Sequence, residues 1–98
     1  MASLCPNIDA HQPLPDGRTW TAICESINPR HDDAYYLIEF WENEQHAGCI
    51  MVVVYARLSH ERLHDQLHTF AVNGVSNTAY QGSPLWRRRR REQGLPLP

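Results

Sequence analysis

A chain of 98 residues, 42% of them hydrophobic, is long enough for one packed domain and too short for two. No apolar run long enough to cross a membrane occurs, and the N-terminal stretch lacks the basic and apolar regions of a signal peptide, so we expect a cytoplasmic protein. The three cysteines, Cys5, Cys24 and Cys49, are an odd number without C-x-x-C spacing, which argues against a disulfide framework or a zinc ribbon.

The charge is distributed unevenly along the chain, although the formal net charge is only -2. Residues 1–84 contain four arginines and ten carboxylates, a balance of -6, whereas residues 85–98 contain five arginines and one glutamate, a balance of +4. No lysine occurs. Such an acidic body with a basic tail is typical of proteins whose arm meets an anionic partner.

The first third of the chain carries weak signals. Residues 1–17 contain three prolines and a glycine without hydrophobic periodicity, which predicts a loose N-terminal arm. Residues 18–27 fit a helical stripe through Trp20, Ile23 and Ile27, but their threonine, isoleucine and tryptophan content favours a strand, and we prefer the strand. The cluster "NPRHDD" then predicts a turn, because a proline disfavours helix in the residue before it.

The centre of the chain predicts an antiparallel hairpin. Residues 35–42, "YYLIEFWE", have the aromatic and β-branched content of a strand, with Tyr36, Ile38 and Phe40 on one face. After a polar turn over residues 43–46, residues 49–57, "CIMVVVYAR", form a nearly continuous apolar run typical of a strand buried on both faces. The two runs are expected to pair with each other.

A helix is predicted over residues 59–73. Ser59 is suited to the N-cap, and Leu63, Leu67, Phe70 and Ala71 recur at the spacing of one helical face. The fold class that follows is α+β: a small antiparallel sheet, made of this hairpin and one or two further strands, packed on one main helix. We expect residues 18–84 to form the domain and residues 85–98 a flexible Arg-rich tail.

A single helix covers only one face of a sheet, and both faces of the predicted hairpin are apolar. The second face is expected to be covered by a second copy of the chain, by the N-terminal arm or by a ligand. We favour a homodimer.

The stretch His60-Glu61-Arg62-Leu63-His64 fits the H-E-x-x-H pattern and in these five residues resembles the zincin peptidases. The resemblance implies His60 and His64 as zinc ligands and Glu61 as general base. The pattern arises by chance in about 2% of chains of this composition, and a third ligand is missing, because His68 would lie about 12 Å along the helix from His60. We therefore interpret the histidines as a half-buried border of the helix, expect no enzyme, metal or cofactor, and rank a zinc hydrolase third among the functions.

The stretch "LWRRRRREQG", residues 85–94, carries the leading functional hypothesis. Consecutive arginines can neutralise phosphates and release counterions, and a neighbouring tryptophan can stack on a base. The sequence predicts a small dimeric nucleic-acid-binding protein, most readily DNA-binding, with a regulatory (transcription regulation) or architectural role. The alternative is a non-enzymatic protein interaction module that docks an acidic partner. The predicted nucleic-acid contacts are Trp86, Arg87, Arg88, Arg89, Arg90 and Arg91, with Arg57 and Arg62 as weaker candidates.

Overall fold

The computed structural model describes residues 5–74 together with residues 88, 91, 92 and 94. Four strands, β1 (Ile8–Pro13), β2 (Thr19–Asn28), β3 (Asp33–Glu42) and β4 (Gln45–Tyr55), precede one long helix, α1 (His60–Gly74). The strands pair antiparallel in the order β1-β2-β3-β4. This arrangement confirms the predicted α+β class, and it confirms the strand that we preferred for residues 18–27. Within the described part of the chain, no helix is long and apolar enough to span a membrane.

The β3–β4 hairpin is longer, and its turn tighter, than the sequence predicts. Glu42 pairs with Gln45, which leaves a two-residue loop of Asn43 and Glu44 with φ angles of 51° and 66°. Positive φ at both loop residues is the signature of the type I′ turn, whose twist matches that of the flanking strands. Ala47 is an extra residue in β4, because the register shifts between the second and third pairs from the turn.

Helix α1 begins where the capping signal predicts. The Ser59 Oγ accepts a hydrogen bond from the Arg62 N–H at 3.3 Å, which satisfies one free donor of the first turn. Leu63, Leu67 and Ala71 are buried against the sheet. Phe70, which we expected in the same stripe, is 37% exposed. The buried stripe is therefore narrower than predicted.

The two faces of the sheet differ in how much of them is buried. The face under α1 forms the main core, whose largest fully buried side chains are Trp20, Tyr36, Phe40 and Ile38. On the second face Leu37 and Cys49 are fully buried and Glu39 is 2% exposed, while side chains farther along β4 are exposed. The exposed apolar area is therefore smaller than the hairpin sequence alone suggests, and it lies at one end of the face.

The N-terminal segment is more ordered than the loose arm predicted for residues 1–17. Residues 8–13 form β1 at the sheet edge, and Cys5 and Leu14 are buried in the main core. The Tyr36 hydroxyl donates a hydrogen bond to the Pro6 carbonyl at 2.8 Å. These contacts join residues distant in sequence, so local periodicity gives no sign of them. Residues 75–84, the last part of the predicted domain, lie outside the described residues.

Candidate functional site

The arginine-rich segment is described at Arg88 and Arg91, both of which are exposed and have helical backbone conformation. The Gly94 N–H donates to the Arg91 carbonyl at 3.1 Å, and Gly94 has a φ of 71°, the conformation that favours glycine after a helical turn. The remaining predicted contacts of the tail lie outside the described residues: Trp86, Arg87, Arg89 and Arg90.

The weaker candidates in the body differ in their surroundings. Arg57 forms an ion pair with Asp32, Nε to Oδ1 3.1 Å, and the hydrogen bond that the guanidinium donates to this carboxylate raises the pKa of Arg57. Arg62 is exposed in the first turn of α1. Arg18 is likewise paired with Asp16 at 2.7 Å, and its backbone and side-chain hydrogen bonds lower the pKa of that carboxyl. Two of the four body arginines are thus already engaged by aspartates, which makes the body a weak site for phosphate.

The H-E-x-x-H residues do not form a metal centre with other described side chains. His60 and Glu61 are exposed. The His64 Nε2 lies 2.9 Å from the Gln12 Oε1, and the Gln12 amide nitrogen donates to the Ala10 carbonyl, so the imidazole nitrogen is the donor in the first bond. No group of three His, Cys, Asp or Glu side chains in the described residues could hold a metal ion. The zinc alternative therefore lacks a third protein ligand in that part of the chain.

Two histidines of α1, His64 and His68, instead pack against a buried tryptophan on the helix side of the sheet. The Trp20 Nε1–H donates to the His68 Nδ1 at 3.1 Å, and Trp20 has no exposed surface. The His64 and His68 rings stack with 6.4 Å between centroids, and their centroids lie 5.6 and 6.0 Å from that of Trp20. The histidines thus anchor α1 to β1 and β2, and the half-buried border inferred from the sequence is present at these two positions.

A second tryptophan with two histidines lies on the opposite face. Trp41 donates its indole N–H to the Thr21 Oγ1 at 2.9 Å, and its ring centroid is 5.3 Å from those of His11 and His46. The His46 Nε2 also lies 3.0 Å from the Glu39 Oε2, and these two side chains are only 6% and 2% exposed. Hydrophobic periodicity alone does not predict this buried pair. Its one local signal is a glutamate within the apolar run "LIEFW".

A cavity of about 430 Å³ lies beside this pair at the hairpin turn and is lined by Glu42, Asn43, Gln45, His46 and Ala47. The described lining contains a carboxylate and no arginine. Because the Glu42 carboxylate would repel a phosphate and no arginine in the described lining offsets it, this cavity is a poor phosphate site.

An exposed apolar row lies on β4. Met51, Val53 and Tyr55, which we name the β4 row, alternate with buried valines and are 38%, 48% and 49% exposed. Large apolar side chains that are adjacent and exposed mark interaction surfaces more often than isolated ones do.

No family model, no curated protein and no solved structure matches this chain. The inference of function therefore rests on the residues and their physical chemistry.

Proposed function

We propose that the chain is a small homodimeric nucleic-acid-binding protein, cytoplasmic and regulatory or architectural, whose arginine-rich C-terminal segment contacts the phosphates of DNA. The observation that carries the proposal is the run of five arginines, Arg87 to Arg91, at the end of an otherwise acidic chain. Arginine binds phosphate bidentately, and its guanidinium stays charged at every physiological pH.

The distribution of charge within the body supports this assignment. Aspartates engage Arg57 and Arg18, so these arginines are less available to phosphates. Arg88 and Arg91, by contrast, are exposed. We therefore expect the arm to supply most of the electrostatic attraction, with Arg62 as an accessory contact. Two arms related by a two-fold axis would suit two half-sites on a duplex.

The salt dependence of binding tests the proposal directly. Each phosphate contact on duplex DNA contributes a slope of about -0.9 to log affinity against log salt. Fluorescence anisotropy with random and defined duplexes, from low to moderate salt, should therefore give a steep slope for the wild type. Arg88→Gln and Arg91→Gln should each flatten the slope by about one, with similar losses on every duplex sequence.

Arg30→Gln is the matched control, because Arg30 is an exposed arginine in the β2–β3 turn and its substitution removes the same charge as each tail variant. Its slope should equal that of the wild type. Equal flattening by the control, or tail variants that bind as the wild type does, would contradict a role of the arm.

An interaction module that docks an acidic protein is the second candidate. The β4 row favours a protein interface, because its exposed apolar side chains are typical of the core of such interfaces and cannot bind the phosphates of nucleic acid. In that case the arm would bind an acidic protein surface, and the anisotropy titration would show no duplex binding.

A further inference from the structure

The two edges of the sheet are built differently. β1 carries an aspartate and a proline, and its register with β2 is interrupted between Ile8 and Gln12. Charges, proline and irregular register are the devices by which natural proteins keep an edge strand from pairing with another chain. The described residues thus show one edge protected in the usual way.

β4 has none of these devices over residues 49–55, "CIMVVVY". Its pairing with β3 is regular from Asp33 with Tyr55 to Phe40 with Gly48, and within the described residues it has a hydrogen-bonded strand on one side only. A long, regular, uncharged edge strand is a template for another strand. The exposed β4 row lies on this same strand.

We propose that the β4 edge pairs antiparallel with β4 of a second copy, about a two-fold axis that passes midway between the Val53 residues of the two copies. This register places Val53 opposite Val53 of the partner subunit and Met51 opposite Tyr55 of the partner subunit. All three positions face the same side of the joined sheet, because residues on one face of a strand recur every second position. The row is therefore self-complementary and places no charge opposite a like charge.

A second copy fits better than a peptide or a ligand because one strand supplies both halves of the interface. The side chains of the row alone give less than the roughly 800 Å² per partner of a standard interface, so main-chain hydrogen bonds must contribute. We therefore expect a dimer with a dissociation constant in the micromolar range, on the order of 1–100 μM. The product is an eight-stranded sheet that carries both α1 helices on one face. The C-terminal ends of the two helices, at Gly74, therefore lie on the same face of the joined sheet.

The inference deepens the homodimer of the proposed function and rests on that part of it alone. It is tested without nucleic acid, so its failure is distinguishable from failure of the arm. Analytical ultracentrifugation of the full chain, from micromolar to several hundred micromolar, should show a concentration-dependent approach to twice the monomer mass. Val53→Lys should raise the dissociation constant at least tenfold, because the two-fold places the two new ammonium groups opposite each other.

A charge exchange tests the register itself. Met51→Lys should weaken the dimer, and addition of Tyr55→Glu should recover most of the loss, because each new ammonium then faces a new carboxylate of the other copy. Ile27→Glu is the matched control, because Ile27 is 47% exposed but lies on β2, an inner strand. Added to Met51→Lys, it should not recover dimer formation. Circular dichroism verifies that each variant is folded.

Cross-linking provides a second measurement for the case in which a charged variant fails to fold. Val53→Cys should form a disulfide-linked dimer under mild oxidation, because opposed positions of an antiparallel pair bring the two Cβ atoms close enough. Ile27→Cys should not. A monomer at several hundred micromolar, a dimer that Val53→Lys leaves unchanged, or equal cross-linking of both cysteine variants would overturn the inference.

Discussion

The hydrogen bond between Trp20 and His68 gives the sharpest prediction about stability. Trp20 is fully buried, and its indole N–H can only donate, so the His68 Nδ1 must accept. His68→Leu keeps the volume of the side chain but removes the acceptor and leaves a buried donor unsatisfied. Such a group costs about 1–3 kcal/mol. For a domain of this size the cost lowers Tm by about 5–20 °C.

A double-mutant cycle separates this bond from packing. Trp20→Phe removes the donor, so His68→Leu should cost at least about 1 kcal/mol less in the Trp20→Phe background than in the wild type. The free energy of unfolding is measured by urea denaturation followed by far-UV circular dichroism, with unchanged m values as evidence of a common transition. Gln66→Leu, at an exposed position of the same helix, is the control and should change stability by at most about 0.5 kcal/mol. Strictly additive costs, or a His68→Leu cost no larger than the control, would refute the reasoning.

Two further substitutions test the turn and the docked N-terminal segment. Glu44→Gly should stabilise the protein by about 0.5–1 kcal/mol in a thermal melt, because Glu44 has a φ of 66° and glycine adopts this conformation without steric cost; a lower Tm would contradict the turn assignment. Tyr36→Phe should cost about 1 kcal/mol at neutral pH through loss of the bond to the Pro6 carbonyl. Burial also raises the pKa of Tyr36, so above about pH 10 the unfolded chain loses its phenolic proton first, and stability falls as pH rises. Urea midpoints at pH 8 and pH 10.5 should show a smaller fall for Tyr36→Phe than for the wild type, and an equal fall would contradict the burial.

The sequence predicts the hairpin and the helix because both rest on local patterns. Alternation places Tyr36, Ile38 and Phe40 on one face of β3, and the Ser59 cap marks the start of α1, as the structure confirms. The order of the N-terminal segment was not predicted, since β1 is short and polar and is held by contacts with β2 and the core.

The side-chain clusters were the hardest features to predict. The bond between Trp20 and His68 joins residues 48 positions apart, and no periodicity states which histidine meets which tryptophan. The Arg57–Asp32 pair likewise depends on how the β2–β3 turn folds towards the end of β4. The motif-based hypothesis of a zinc site failed to anticipate that His64 is engaged by Gln12, a residue of a segment predicted to be loose.

The buried pair of Glu39 and His46 has a consequence for how the hairpin aligns during folding. Side chains alternate strictly between faces, so a slip of one residue in the pairing of β3 would move Glu39 to the helix side of the sheet. There the carboxylate would lie in the main core beside Trp20 of β2, which is fully buried, and away from the imidazole that now pairs with it, while Tyr36 and Phe40 of β3 would leave that core. An unpaired buried charge costs several kcal/mol, far more than a misplaced apolar side chain. The pair therefore penalises misaligned hairpins, which a run of interchangeable valines and isoleucines would otherwise tolerate.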